Sequence, residues 1–376
     1  MDIHQFDDIR PYTDSEVAEA VERIAANPLL NNISSYLFPG KDPAVFRQLL
    51  LSCKTVEDFQ VNIMAQVVAK ILSGTSKSLT IGGISNFEAG KKYLIITNHR
   101  DIVLDSAIIQ LVLHKHNIQT TEIAVGDNLI SSSFIEDITR TNKMIKVMRN
   151  ITPREVYAAS QKLSQYIRQS VASNKSSIWI AQRNGRTKDG WDMTEQGVLK
   201  MLDMSGEGDF VQNFGQLSIM PASISYEFEP CDVLKAVELY ISKRRKYVKS
   251  KDEDLNSILT GIMQFKGNIH IEFTEPITGE ELAAAASLDK NERFKHLAGC
   301  IDRRICSTYK LWKNNYIAKD ILSGKGEYAD KYTQADRSAF EDYLKYKLSS
   351  VEVEGDMDEL ENIFLNIYAN PVVNKQ

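Results

Sequence analysis

At 376 residues, with 25% charged and 43% apolar side chains, the chain has ordinary globular composition and enough length for a full-sized core, which excludes disorder as its default state. A formal net charge of -5 argues against a nucleic-acid binder, which needs a basic face to neutralise phosphates. Cys53, Cys231, Cys300 and Cys306 show no Cys-x-x-Cys spacing and no nearby histidine pair, so free thiols in a reducing compartment fit better than a zinc site.

The start, Met1-Asp2-Ile3-His4-Gln5-Phe6-Asp7-Asp8, is acidic where a signal peptide would be basic and then apolar. No stretch approaches the ~20 apolar residues of a spanning helix. The expectation is a cytoplasmic protein that touches, at most, the inner face of a membrane.

Thr13-Asp14-Ser15-Glu16 has the form of a capping box, after which Val17, Val21 and Ile24 recur at helical spacing until Asn27-Pro28. Pro43 to Ser73 carries Phe46, Leu49, Leu50, Phe59, Ile63, Val67, Val68 and Ile71, enough for further helices with a core-facing stripe. From there the texture changes. Leu79-Thr80-Ile81, Tyr93 to Ile96, Glu122 to Val125, Ile145 to Met148, Ile178 to Ala181, Leu217 to Met220 and Asn268 to Phe273 read as strands, with helical stretches between many of them, notably Arg154 to Ser173. That alternation predicts an α/β fold: a mixed, largely parallel sheet covered by helices over residues 76–277, with helical additions over 1–75 and 278–376. In the last region Glu280 to Tyr316 and Gln334 to Leu348 read as helical. The acidic run Glu352, Glu354, Asp356, Asp358, Glu359 and Glu361 lacks the twelve-residue calcium-loop pattern and reads as a solvated, charged connection.

The chemistry gathers first at Asn98-His99-Arg100-Asp101-Ile102-Val103-Leu104-Asp105, between a predicted buried strand and an apolar helix. An imidazole there, with a carboxylate a turn further on, suits deprotonation of a hydroxyl: one ring nitrogen accepts the proton while the acid holds the other protonated. The bland reading is a polar turn that caps a helix. His-Arg-Asp as a kinase catalytic loop fails, because a Gly-rich loop, a strand lysine and Asp-Phe-Gly are all missing.

Three later segments suit an anionic substrate. One strand delivers Arg149 to its end. Another runs into Gln182-Arg183-Asn184-Gly185-Arg186-Thr187-Lys188, where Gly185 permits close backbone approach and Arg183, Arg186 and Lys188 suggest a phosphate clamp or, more blandly, a basic surface turn. The third, Leu217 to Ile224, is interrupted by Pro221, which predicts an edge or a bend.

The order of these segments resembles the glycerolipid acyltransferases, whose blocks are Asn-His-x4-Asp, an arginine-bearing strand, a Glu-Gly-x-Arg turn and a proline-bearing strand. The likeness covers about residues 76 to 277. The resemblance implies transfer of a fatty acyl group from acyl-CoA or acyl-carrier protein to a hydroxyl of glycerol-3-phosphate or 1-acylglycerol-3-phosphate, without metal or further cofactor. It implies His99 as general base, Asp105 as its orienting acid, and Arg149 with Arg186 as the grip on the acceptor phosphate.

Two positions depart from the pattern. Five residues separate His99 from Asp105, so either the turn is bulged or Asp101 takes the role, and Asp105 is favoured because the apolar helix follows it. Asn184 stands where the family has Glu, which leaves open a different acceptor, such as an amino-acid-based lipid; a separate rival, a non-catalytic lipid- or carrier-binding protein on the same scaffold, is opposed by the intact His99 with a carboxylate in reach. The basic run Lys243-Arg244-Arg245-Lys246-Tyr247-Val248-Lys249-Ser250-Lys251 reads as a solvated helix face, or as a contact with anionic lipid or an acidic carrier.

Overall fold

The computed structural model describes residues 3–149, 151–351 and 355–375. The chain opens with α1 (Asp14–Ala26), α2 (Leu29–Leu37), α3 (Pro43–Ser52) and α4 (Val56–Phe59), the last continuing through a widened turn into α5 (Ala65–Thr75). The alternating region follows as β1 (Ser76–Gly82), β2 (Leu94–Thr97), α6 (Leu104–Lys115), β3 (Glu122–Gly126), α7 (Ser133–Thr141), β4 (Met144–Val147), α8 (Pro153–Ala172) and β5 (Ile178–Ala181). It continues with α9 (Gln196–Asp203), α10 (Phe210–Gly215), β6 (Ile219–Tyr226), α11 (Asp232–Ser242), α12 (Glu253–Met263) and β7 (Gly267–Phe273). The end is helical: α13 (Gly279–Ala286), α14 (Glu292–Thr308), α15 (Lys313–Ser323), α16 (Gln334–Ser349) and α17 (Met357–Asn374).

The strands form one seven-stranded sheet in the order β1-β7-β6-β2-β5-β3-β4. From β6 to β4 every neighbouring pair is parallel; β7 runs antiparallel to β6 and carries β1 parallel to itself. The mixed, largely parallel α/β class is as expected. The central strands are continuous apolar runs because both faces are covered. Leu94, Ile96, Ile178, Ile180 and Ile219 point to one side, against α8, α9, α10, α13 and α14. Tyr93, Ile95, Trp179 and Met220 point to the other, against α5 and α6. With five strands pointing the same way, their carboxyl ends gather at one end of the sheet, where open α/β sheets hold their ligands.

Two expectations are corrected here. Pro221 lies inside β6, between β7 and β2, and not on an edge. Its carbonyl, like that of Ile219, faces the segment leaving β7 and accepts from the Thr274 and Ile277 side of that segment: Thr274 N–H donates to Pro221 O at 3.0 Å and Ile277 N–H to Ile219 O at 2.8 Å. A residue's N–H points the same way as its C=O along a strand, so the missing donor falls where the β6–β7 ladder, which begins at Ala222, has not started. The acidic run is the other case. Glu352 and Glu354 lie outside the described residues, but Asp356 caps α17, accepting from the N–H groups of Asp358 and Glu359, so the run opens a helix instead of forming a connection. Carboxylates in a first helical turn offset the exposed N–H dipoles.

The outer helices build two further cores. One joins α1, α3 and α4 to Phe134 of α7; the other joins α11 to α15, α16 and α17, with no strand residue among its described members. Helices α13 and α14 are clamped together by Glu281, which accepts from Thr278 N–H at 2.9 Å and from both terminal nitrogens of Arg304. Burial would raise the Glu281 pKa, but the Arg304 hydrogen bonds and the Thr278 cap outweigh it and bring it down from 4.5 to about 2. A depressed carboxylate contributes stability above its unfolded pKa and loses it as pH falls through the folded one. Glu281→Gln is therefore expected to cost about 1–2 kcal/mol at pH 7, discounted for partial exposure, with the loss shrinking as pH falls through about 2; denaturant midpoints from neutral to acid pH measure it.

Candidate active site

β2 ends at Thr97 and the chain turns through Asn98 to Val103 before α6 begins at Leu104. Asn98 fixes the turn to β6 as a strand would: its side-chain oxygen accepts from Ile224 N–H at 2.9 Å and its amide donates to Ile224 O at 3.0 Å. His99 Nδ1 lies 2.8 Å from Asp105 Oδ2. That oxygen also accepts from the N–H groups of Arg100 at 2.6 Å and Asp101 at 2.9 Å, while Oδ1 accepts from the Tyr226 hydroxyl at 2.7 Å. Asp105 is fully buried, and burial alone would raise its pKa; the His99 hydrogen bond and charge, the Asp101 N–H and Tyr226 together hold it below the ordinary carboxylate range. An ionised Asp105 keeps the proton on Nδ1, which leaves Nε2 as the accepting nitrogen. The imidazole retains 13% side-chain exposure, with Trp179 edge-on at 5.7 Å between ring centres.

Asp101 does other work. Its Oδ1 accepts from the N–H groups of Val103 and Leu104 at 2.9 and 2.8 Å, which caps the start of α6. Burial first, and then the charge of Asp105, raise its pKa. Its Oδ2 has no hydrogen-bond partner among the described residues and points at α12, where a Cβ on Gly261 would come within 2.1 Å of it.

Arg100 is completely buried, paired with Asp192 at 2.5 Å and Glu229 at 3.4 Å, and Lys235 adds a second buried cation on Glu229 at 2.6 Å. Two cations against two carboxylates leave this network neutral, the condition under which buried charges are tolerated. Asp192 in turn is held by α17: its N–H donates to the Asn374 side chain at 2.8 Å, and Gly190 lets the Ile367 carbonyl approach where a Cβ would sit 2.2 Å away.

The basic turn after β5 folds over the His99 turn, with Thr187 N–H donating to His99 O at 2.7 Å. Gly185 sits at φ +79° with open space around it. Arg186 acts electrostatically on Asp101, Cys231 and Asp254, and its Nη1 is buried without a partner among the described residues. Arg183 Nε is buried without a hydrogen bond among the described residues and pairs with Glu195 at 3.9 Å. Lys188 is ion-paired with Glu238. Arg149 is exposed past the end of β4; its side chain crosses Gly126 and its N–H donates to Asp127 at 3.0 Å. Asn184 is exposed, with its N–H on Glu195 at 3.1 Å.

The turn's negative charge therefore comes from Glu195 and Glu238, which sequence reasoning did not single out. Tyr226, Asp192, Trp179 and Asn374 were also missed. Only Tyr226 carried a signal, as a polar-tipped residue ending an apolar run. The basic run is likewise corrected: Lys243 to Lys251 form the connection between α11 and α12, not a helix face.

A cavity of about 420 Å³ lies at the opposite end of the sheet, lined by Gln60, Met64, Gln110, His114 and Lys143 among others. Lys143 precedes β4 just as Thr120 precedes β3, so this space is remote from the strand ends that carry His99.

Residues 78–225 match the family profile described as Acyltransferase. Among solved structures, the chain is similar to the 1-acyl-sn-glycerophosphate acyltransferase PlsC from Thermotoga maritima, with 11% identity, a TM-score of 0.41, and coverage of 77% of this chain and 92% of that one. No curated protein matches the chain.

Proposed function

We propose that the chain, whose residues 78–225 match the Acyltransferase family profile, moves a fatty acyl group from acyl-CoA or acyl-carrier protein to a hydroxyl of glycerol-3-phosphate or 1-acylglycerol-3-phosphate, with His99 as general base. The observation that carries this reading is the His99–Asp105 hydrogen bond at the carboxyl end of β2, below a turn in which a buried nitrogen of Arg186 has no hydrogen-bond partner among the described residues. His99 Nε2 takes the hydroxyl proton as the oxygen attacks the thioester carbonyl. Asp105 stabilises the imidazolium, backbone N–H groups or a cation meet the tetrahedral oxyanion, and the thiol leaves with the proton. Arg186, with Arg149, grips the acceptor phosphate; Arg183 and Lys188 add to the positive field, and Gly185 with Asn184 shapes the approach. The reading calls for no metal and no cofactor beyond the donor. It suits a cytoplasmic enzyme at the inner face of a membrane.

Asn184, an amide where the family carries an acid, favours a second reading in which the acceptor is another lipid precursor. Thiol release from both donors, with glycerol-3-phosphate, 1-acylglycerol-3-phosphate and an amino-acid-based lipid precursor in turn, tests the choice. Release driven by a phosphorylated glycerol is the expected result, and no release with any of the acceptors would leave only a non-catalytic binding role. Arg186→Met is expected to raise KM for the phosphorylated acceptor by about 10–100-fold with a smaller change in kcat, the effect of removing a charge-assisted bond made in ground and transition states alike. An unchanged KM would remove Arg186 from the acceptor site.

A further inference from the structure

Helix α12 has two unlike faces. Ser257 and Gly261, four residues apart, are buried: the Ser257 carbonyl accepts from the Cys231 thiol at 3.2 Å, and Gly261 lies against Asp101 of the His99 turn. At 100° per residue the opposite face carries Leu255, Leu259 and Met263, which are 56%, 45% and 56% exposed. Val248, just before the helix and 79% exposed, extends this apolar strip outward. No described element covers it. Three large apolar side chains spaced by four on a solvent face are not what a helix needs for its own fold.

The connection that feeds α12 supplies the complementary chemistry. Lys243 and Arg244 pair with Glu359, and Lys249 pairs with Asp254. Arg245, Lys246 and Lys251 are exposed and have no ion pair among the described residues. An apolar strip flanked by free cations matches a bilayer surface with anionic headgroups, where the side chains enter the acyl boundary and the cations meet the phosphates. An acidic protein would satisfy the cations but leave the strip without a partner.

We propose that α12, with the 243–251 connection, docks the protein on an anionic lipid bilayer. The surface lies where a lipid-handling site needs it. The buried face of α12 rests on the His99 turn through Asp101, Asp254 accepts from Asn128 beyond β3 at 3.2 Å, and Lys249 lies within electrostatic reach of Lys188. Docking sets α12 and the neighbouring basic turn against the headgroup layer, so that an acceptor lipid needs to rise only partly out of the membrane. This deepens the acyl-transfer reading, and in placing the acceptor it rests on that reading. The docking itself is measured without turnover, so one can fail while the other stands.

The test is flotation of the full chain with phosphatidylcholine vesicles, with and without about one-third phosphatidylglycerol. The wild type is expected to float with the anionic vesicles and to be released by salt. Replacing the strip (Leu255→Ser, Leu259→Ser and Met263→Ser together) is expected to lower the vesicle partition coefficient at least ~10-fold, as is Arg245→Glu with Lys246→Glu and Lys251→Glu, with melting temperatures near wild type. All four native cysteines are buried, so a polarity-sensitive thiol label on Leu259→Cys reports insertion directly, and a blue shift on anionic vesicles alone is expected. A wild type that does not float with anionic vesicles, or a strip variant that floats undiminished with no shift of the label, overturns the proposal. Flotation lost only in the charge variant would likewise overturn it, because the cations alone would then hold the vesicle and α12 would not insert.

Discussion

His99→Ala is expected to lower kcat for acyl transfer by at least ~100-fold while the protein stays folded, the scale on which loss of a positioned general base is felt. The fold should survive because Asp105 keeps three of its four donors, the N–H groups of Arg100 and Asp101 and the hydroxyl of Tyr226, when the imidazole is gone. His99 is only partly exposed and its main contacts are Asp105 and the edge of Trp179, so truncation opens a small gap beside a ring rather than a hole in the core. His99→Gln sharpens the test. A glutamine amide can still donate to Asp105 but cannot take a proton, so the two variants should be equally slow if the base is what matters. Single-turnover acyl transfer at saturating donor measures it, and near wild-type transfer by either variant would refute the assignment.

The parts that sequence made legible are those built from local signals. β2, β5 and β7 stand within a residue of their expected bounds, because a strand buried on both faces must be a continuous apolar run and leaves little doubt about where it lies. The His99 turn was found for the same reason, since strand, turn and apolar helix follow one another without interruption between Leu94 and Lys115. β6 was cut short at Pro221 because the cost of a missing donor depends on which flank it faces, a property of pairing that no local pattern carries. Helix α17 escaped notice behind its acidic start, with Asn370 and Pro371 breaking the apolar rhythm near its end. Most of all, the groups that hold His99 in place come from afar: Tyr226 from β6, Asp192 from the loop after β5, and Asn374 from the last turn of the last helix. Their side chains are unremarkable in sequence, and only the sheet order brings them together. The choice between Asp101 and Asp105 was of the same kind. An extra residue in the turn left both in reach, and the geometry gives Asp105 the ring and Asp101 the helix cap.

Asp105→Asn is the sharper probe of that division. The carboxylate accepts from four donors: three converge on Oδ2, and Tyr226 approaches Oδ1. An asparagine must turn its single oxygen toward the three, which places its NH2 against the Tyr226 hydroxyl and forces that hydroxyl to give up its acceptor. Tyr226 is fully buried among carboxylates that keep its phenol protonated, so the lost partner has no water to replace it. About 2–3 kcal/mol of stability is expected to go at neutral pH. The sign with pH follows from the carboxylate's depressed pKa. Its contribution is complete above the ordinary value of 3.8 and fades as pH falls through the lower folded value, so wild type and variant should converge in acid. Without the negative charge the imidazolium formed during proton transfer is no longer stabilised, and kcat should fall by ~100-fold or more. Asp101→Asn should behave differently. Burial already favours its neutral form, and an asparagine oxygen can still cap α6, so a modest loss of stability with kcat within about ten-fold of wild type is expected. Melting curves from neutral to acid pH and parallel rate measurements on the two variants separate the roles; a slow Asp101→Asn beside a near-normal Asp105→Asn would exchange them.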